Sequence, residues 1–432
     1  MDVLHSWNRY PRVEHGEVFT LYNRFDNLPQ SEVACIPYGN GRSYGDVCLN
    51  EGGDLLHTRS LDRFIAFDPA TGILRCESGV LLKEILDLVI PQKWFLPVTP
   101  GTQFITVGGA IANDVHGKNH HCAGSIGNHV QCLELLRSDG QRIICSMEEE
   151  KEWFIATIGG LGLTGLITWA EIQLLPIANP WMLVESQRFS SLDEFWAMNQ
   201  EAEHTWPYTV AWLDCLSAGR GKGRGIYMAG RHTETTERAP KGQPISLPFP
   251  IDPPVSLVNS LSLRIFNTLY YRKPLRRGPA ITHYQPFFYP LDGILEWNRI
   301  YGRKGFFQYQ CVIPPAAAKE GLDMLLKKIS ASGQGSFLAV LKTFGNIPSR
   351  GLLSFARPGV TLALDFPNKG EKTLQLFNEL DCIIRDFGGT LNPSKDARMS
   401  AQMFQTGFPN WKYFSSFIDP KFSSSFWRRV SR

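Results

Sequence analysis

Residues 160–175 read GLGLTGLITWAEIQLL, from Gly160 to Leu175. The first six, Gly160-Leu161-Gly162-Leu163-Thr164-Gly165, have the G-x-G-x-x-G spacing that opens a helix under a pyrophosphate in a dinucleotide-binding βαβ unit. The residues that follow decide against that unit. Leu166 to Leu174 is rich in β-branched and aromatic residues and is closed by Pro176, so it reads as a strand. Glycines such as Gly165 then permit close approach to a ligand on a different scaffold.

Three further glycine-rich segments lie upstream. Gly39-Asn40-Gly41-Arg42-Ser43-Tyr44-Gly45-Asp46 places three glycines in seven residues, so the backbone can approach a ligand and turn several N–H groups toward it. Pro100-Gly101-Thr102 precedes Val107-Gly108-Gly109-Ala110-Ile111-Ala112, a run suited either to a helix start under a cofactor or to ordinary close packing. The third runs from His116-Gly117-Lys118-Asn119-His120-His121 to Gly124-Ser125-Ile126-Gly127-Asn128-His129. Its four histidines are interspersed with glycine and lack a cysteine or carboxylate cluster, so a polar loop lining a cofactor is expected rather than a metal site. Glycine-rich segments spread over some 130 residues imply one large ligand wrapped by several loops. A dinucleotide such as FAD has the right size. The residues alone give neither substrate nor reaction.

The rest of the chain narrows the class. With 44 Lys and Arg against 41 Asp and Glu in 432 residues, it is too balanced for a dedicated nucleic-acid binder. Its nine cysteines form no C-x-x-C pair, so neither a disulfide framework nor a zinc ribbon is expected and reduced cytosolic thiols are. Met1 to Gly16 has no apolar core of a signal peptide, and no apolar stretch is long enough to span a bilayer. A cytoplasmic protein, peripheral at a membrane at most, is the expectation. Phe64–Phe67 and Ile73–Cys76 read as strands around a turn, and Leu81–Ile90 as a helix ended by Pro91. Beyond Met182, strand-like runs (208–213, 306–313) alternate with helical ones (315–329, 374–387), the texture of helices packed on an antiparallel sheet. Between them, 233–279 begins rich in Pro and Ser and turns apolar, aromatic and basic. It reads either as a surface loop with a short helix or as an interfacial lid. In the second reading Leu263, Ile265, Phe266, Leu269 and Tyr270 face acyl chains, and Arg264, Arg272, Lys273, Arg276 and Arg277 face phosphates.

As an ordered set, GNGRSYGD, LPVTPGT, TVGGAIANDVHGKNHHCAGSIGNHV, GGLGLTGLI, FFYPLDGILEWNRIYG, QYQ, LKTFG, LDFP and SKDAR closely resemble the FAD-binding oxidoreductases of the vanillyl-alcohol oxidase and p-cresol methylhydroxylase (PCMH) type, and within them the polyprenylphosphoryl-ribose oxidases. The likeness covers nearly the whole chain. It implies an α+β, two-domain PCMH-type fold. Residues 1–178 and 391–432 would form the FAD domain, with a substrate domain built on an antiparallel sheet inserted at 179–390 and a mobile loop at about 233–279. It implies FAD held by Gly39 to Tyr44, Gly101, Thr102, Gly108, Gly109, Ala112, His116, Gly117, Asn119, Gly124, Ser125 and Gly165. The implied reaction oxidises the 2-hydroxyl of a polyprenylphosphoryl-β-D-ribofuranose to the 2-keto sugar. An NAD(P)H-dependent short-chain reductase subunit completes the epimerisation toward an arabinofuranosyl donor for cell-wall glycan, and a quinone or other acceptor reoxidises the flavin.

Catalytic roles are implied for Lys395, His116, Gln310 and Lys342, and substrate contacts for Tyr44, Lys118, Gln308, Gln310, Lys342, Thr361, Ala363 and Lys395. Alcohol oxidation moves a hydride from carbon and a proton from oxygen, so a proton acceptor and an orienting group are required. Without the resemblance, Lys395 reads as a surface ion pair with Asp396 or Asp365. The sequence also departs from its relatives. Arg42 stands where many carry a histidine bonded to FAD, which implies dissociable FAD. Ala363 replaces a cysteine that covalent inhibitors attack, Thr361 an asparagine and Asn392 a tyrosine. The alternatives are a soluble aldonolactone or alditol oxidase of the same fold and a non-catalytic flavin-binding partner of a glycan assembly complex.

Overall fold

The computed structural model describes residues 4–235 and 246–432. Leu166–Gln173 is a strand at the centre of a five-stranded antiparallel sheet, between Ile73–Glu77 and Val130–Leu136, with Phe64–Asp68 and Arg142–Ser146 at its edges. No helix follows the Gly160–Gly165 run. Leu161 N donates instead to Ala112 O, tying that turn to the helix Val107–Ala112. Thr106 caps this helix by accepting from Gly109 N. Beside it lies a parallel three-stranded sheet of Val18–Thr20, Asp54–His57 and Cys35–Tyr38. The chain's last segment returns here. Cys35 N donates to Lys421 O, Ser423 N donates to Cys35 O, and Arg429 pairs with Asp46.

The second layer is an eight-stranded sheet, antiparallel throughout: Ala280–His283, Trp181–Phe189, Gly225–His232, Tyr208–Leu213, Val340–Phe344, Gly359–Pro367, Phe306–Ile313 and Thr390–Leu391, in spatial order. The amphipathic helices Ala318–Ser332 and Glu371–Asp386 cover one face. Side chains alternate along a strand. Phe307 and Tyr309 therefore pack on Phe377 of the covering helix, with ring centroids 5.7 and 5.0 Å apart. Gln308 and Gln310 point to the other face, a floor that lines a cavity. The same alternation sends Leu362, Leu364 and Phe366 into the core and Thr361, Ala363 and Asp365 to the floor. Thr390–Leu391 pairs with Val312 and Cys311, so the strand just before the Lys395 turn belongs to this sheet.

Within 233–279, read as a loop with a short helix or as a lid, residues 236–245 lie outside the described residues and 249–259 form neither helix nor strand. The segment carries the helix Ser260–Arg272, capped by Asn259, whose side chain accepts from Leu261 N and Ser262 N. A buried bond from Asn267 Nδ2 to Asp214 Oδ1 (2.9 Å) fastens this helix to the floor sheet. Arg188 donates to the carbonyls of Tyr271 and Lys273 at its far end. This is the short helix that the sequence suggests in the segment, and its apolar residues lie on two faces rather than one.

Candidate active site

A cavity of about 1370 Å3 lies between the glycine loops and the floor. A site for a single small ligand holds ~300–1,000 Å3. The volume therefore accommodates a cofactor together with a second ligand.

The glycine segments form its wall. Gly39, Asn40, Gly41, Arg42, Ser43, Tyr44, Gly101, Thr102, Gly108, Gly109, Ala112, His116, Gly117 and Gly165 all line it. The backbone N–H groups of Gly39 to Ser43 donate to no backbone carbonyl among the described residues. A Cβ on Gly101 would meet nothing within 4 Å, so open space faces that turn. Gly45 is needed for another reason. A Cβ there would collide with the carbonyl of Asp396, and its absence lets the turn carrying Lys395 lie against the first loop. Three buried polar atoms on residues lining this wall have no partner in the protein: Arg42 Nε, Ser78 Oγ and Asn113 Oδ1. Unpaired buried polar groups are costly unless a ligand satisfies them. A cradle of free N–H groups and orphaned polar atoms fits a dinucleotide.

Three expected cofactor contacts do not reach the cavity. Asn119 turns away and donates to Pro97 O. Ser125 donates to Asp114 and Asn128, and a Cβ on Gly124 would strike Asn128 and Ile347. These residues shape the histidine-bearing loop from behind. Asp114 gathers Ser125, Ser354 and Gly127 N around one buried carboxylate.

The floor contributes Gln308, Gln310, Lys342, Thr361, Ala363 and Lys395, with Lys118 from the wall. Gln310 is the best-anchored of them. Its Oε1 accepts from Asn392 Nδ2 (3.0 Å), and its Nε2 donates to Thr361 Oγ1 (3.2 Å) and to His116 Nε2 (3.1 Å). Burial, then Lys342, His120 and Lys395, hold His116 well below the usual histidine range, so the ring is neutral. Lys395 is no surface ion pair. Its ammonium sits 3.9 Å over the Tyr44 ring, and Asp396 pairs with Arg429 instead. Burial lowers Lys395 to about 8 and Lys118 to about 8. It lowers Lys342 to about 7, helped by the other two lysines. Burial also lifts two carboxylates on the cavity, Asp365 to about 7 and Asp292 to about 6.

Sequence reasoning does not reach Asp292, and it reads Asp365 only as an ion-pair partner of Lys395 and Asn392 only as a change in the rim of the pocket. Asp365 continues the alternation through Thr361 and Ala363, and its strand partner is Gln308, whose Nε2 donates to it at 2.6 Å. The period of two could have found it. Asp292 accepts from Gln103 N and ties the Gly101 turn to the floor domain, a long-range contact that no local pattern signals. Among the described residues, no group of three or more His, Cys, Asp or Glu is placed to hold a metal ion. None of their helices is long and apolar enough to cross a membrane.

The sequence is similar to those of known proteins. The FAD binding domain family matches residues 27–146. Decaprenylphosphoryl-beta-D-ribose oxidase of Mycolicibacterium smegmatis is 36% identical over 410 residues, covering 91% of this chain and 88% of that protein. An uncharacterized protein of Streptomyces coelicolor is 31% identical, covering 81% of this chain and all of that protein. Cytokinin dehydrogenase 8 of Oryza sativa subsp. indica is 30% identical over 36% of this chain and 31% of its own length. The cofactor is FAD. With a glycine-loop cradle, an antiparallel floor and a relative that aligns over nine-tenths of its length, the chain belongs to the FAD-binding oxidoreductase family that includes decaprenylphosphoryl-beta-D-ribose oxidase.

Proposed function

We propose that this protein oxidises the 2-hydroxyl of a polyprenylphosphoryl-β-D-ribofuranose to the 2-keto sugar. The observation that carries the reading is one cavity with a cofactor cradle on one side and Gln308, Gln310, Lys342, Thr361 and Lys395 on the other. The relative of matching length acts on a decaprenylphosphoryl ribose by its name.

FAD, when bound, supplies the hydride acceptor. The protein orients the sugar and handles its charge. Gln310 is held rigid by Asn392 and Thr361, so its position over the floor is fixed before substrate arrives. Lys395, near neutrality for a lysine, takes the proton from the 2-oxygen as the hydride leaves C2, and Asp365 beside it buffers the charge. Lys342 and Lys118 set positive charge where the phosphate or the reduced cofactor carries negative charge. Arg42 lies 4.0 Å over the Trp7 ring in the loop where many relatives bear a flavin-linked histidine. FAD is accordingly held without a covalent bond, and acid precipitation releases it to the supernatant.

The 2-keto product requires a second enzyme to return the ketone with inverted configuration, so an NAD(P)H-dependent reductase is the expected partner. A quinone or similar acceptor reoxidises the flavin. The helix Ser260–Arg272 makes peripheral contact with the membrane that holds the substrate. Leu261, Ile265 and Leu269 form an outward stripe, 68, 52 and 66% exposed. Residues 253–291 carry five Lys or Arg and no Asp or Glu, which suits an anionic lipid surface.

The test is anaerobic bleaching of the flavin by polyprenylphosphoryl ribose, run beside an aldonolactone and an alditol. Bleaching by the lipid-linked sugar alone supports the reading. Bleaching only by the free polyol or lactone overturns it in favour of a soluble sugar oxidase, and a silent flavin with all three overturns both.

A further inference from the structure

The floor sheet changes character along one row. Trp212, Val340, Ala363 and Gln310 are successive register partners across four strands. Strands lie ~4.8 Å apart, so the row runs about 14 Å from an aromatic ring to the amide that touches His116. At the Gln310 end the cavity holds three lysines and two carboxylates. At the Trp212 end its lining is aromatic and aliphatic: Leu257, Leu263, Phe266, Tyr270 and Phe337 close over the sheet. Tyr270 packs on Trp212 at 4.7 Å and stacks on Phe266 at 5.7 Å, and Phe266 meets Phe337 at 5.6 Å. The indole N–H is already satisfied by Phe337 O. Apart from Ser262 and Lys273, whose ammonium lies 3.7 Å over the Tyr270 ring at the rim, this end offers a ligand apolar surface.

The helix Ser260–Arg272 makes the roof, and its sequence explains why it is apolar on two sides. Leu263, Phe266 and Tyr270 recur at helical spacing and turn inward, while Leu261, Ile265 and Leu269 turn outward. A helix that only covered a core would need the inner stripe alone. The Asn267–Asp214 bond lies on the inner side and holds the roof at a fixed height above Trp212.

We propose that the space between this roof and the Trp212–Val340 part of the floor is a binding site for the hydrocarbon tail of the substrate, a linear isoprenoid. It rests on the reading above and adds where the tail lies. The first isoprene units follow the row from Ala363 to Trp212 and leave past Phe266, whose 42% exposure marks the mouth, beside the outward stripe. The tail thus passes from the sugar site toward the lipid phase without crossing water. Specificity for a lipid-linked sugar then comes from the apolar end of the cavity, and the polar end sees only the sugar and phosphate.

The experiment is calorimetric binding of isopentenyl phosphate and farnesyl phosphate to the FAD-loaded protein, below micelle-forming concentrations and without turnover. Burial of the added methylenes predicts at least ten-fold tighter binding of the longer chain. Leu338 lines the cavity between Phe337 and Val340. In Leu338→Asp, which places a carboxylate there, the gap shrinks to about two-fold; in Leu269→Ser, on the outer stripe, it stays intact. Equal affinity of the two phosphates for the unaltered protein overturns the tail site, as does an unchanged gap in Leu338→Asp with FAD retained. A gap lost in Leu269→Ser but kept in Leu338→Asp also overturns it, because the chain would then lie on the outer surface. None of these outcomes depends on flavin bleaching, so the tail site and the oxidation reading stand or fall separately.

Discussion

His116 and Gln310 meet across the cavity, imidazole Nε2 to amide Nε2, at 3.1 Å. The amide nitrogen has hydrogens to give and no lone pair to offer, so the histidine accepts with Nε2 and carries its proton on Nδ1. Protonating that ring would set an N–H against an N–H in a buried site. His116 therefore fixes Gln310 and does not act as the proton acceptor. Its ring resonances should stay those of the neutral form through the ordinary histidine range. In Gln310→Leu three polar neighbours lose a partner at once, which costs roughly 1–3 kcal/mol of stability. Urea unfolding measures that loss, and a His116 titration with a midpoint near 6.5 would refute the assignment.

The three lysines of the cavity lie at about 8, 8 and 7, and each is lowered chiefly by burial. An anionic ligand placed among them favours their charged forms. Binding of farnesyl phosphate near pH 8 should therefore take up protons. Calorimetry in two buffers of different ionisation enthalpy reads that uptake as a difference in apparent heat. Proton release, or no difference, would contradict lowered lysines.

Lys395 also sets the pH profile of flavin reduction. Its neutral form is the acceptor, so the rate should climb as pH rises through about 8 and level above it. Lys395→Met should lower the rate by ~10²–10⁴ and abolish that limb while FAD stays bound. Rescue of the rate by an added primary amine would separate loss of the base from loss of shape.

Much of this site was legible in the sequence because strand periodicity and glycine spacing are local. The alternation in 306–313 and 359–367 divides core from floor residues without a structure, and the strand after Gly165 already excludes a Rossmann unit. What stayed hidden depends on distant partners. Asn119, Gly124 and Ser125 share a motif with His116, yet Pro97 O holds Asn119 and the carboxylate of Asp114 holds Ser125 and Gly127 away from the cavity. Asn392 reads as a mere replacement of a tyrosine until Gln310 is found 3.0 Å from it. A short helix is legible in 233–279, but its place as a roof is not, because its anchor at Asp214 lies 53 residues upstream of Asn267 and two apolar faces replace the single stripe of a surface helix.

Ala363 lies between Val340 and Gln310 in the floor row and lines the cavity. Ala363→Cys should fold, keep FAD and oxidise substrate at a rate within about three-fold of the parent, because a thiol adds little volume to a cavity this large. It should also acquire a thiol that reagents reach from the cavity. Peptide mapping after alkylation separates this thiol from the exposed Cys122 and Cys382. Protection by farnesyl phosphate would place the ligand over position 363, and alkylation unaffected by that ligand would place it elsewhere.

Acid should unfold the protein through buried neutral histidines. His120 has no partner at either ring nitrogen, and His232, equally unpartnered, sits among Phe95, Tyr208 and Phe288. Burial lowers both to about 4, against ~6.5 for an unfolded histidine. Between these values the unfolded chain binds more protons than the folded one, so stability falls as pH drops from about 6.5 toward 4. The loss for His120 is of order 3 kcal/mol at the low end. Asp365 and Asp292 act in the opposite sense, since carboxylates raised to about 7 and 6 favour the folded state as they take up protons on the way down. The net curve mixes both signs, and a variant isolates one of them. His232→Phe puts a ring of similar shape in an aromatic cage and removes two unsatisfied nitrogens, so it should be neutral or stabilising at pH 7. Its advantage should grow as pH falls, read from urea midpoints across that range. A difference between variant and parent that stays constant with pH would mean His232 finds a proton partner on acidification, and the acid limb would then belong to His120 and His116.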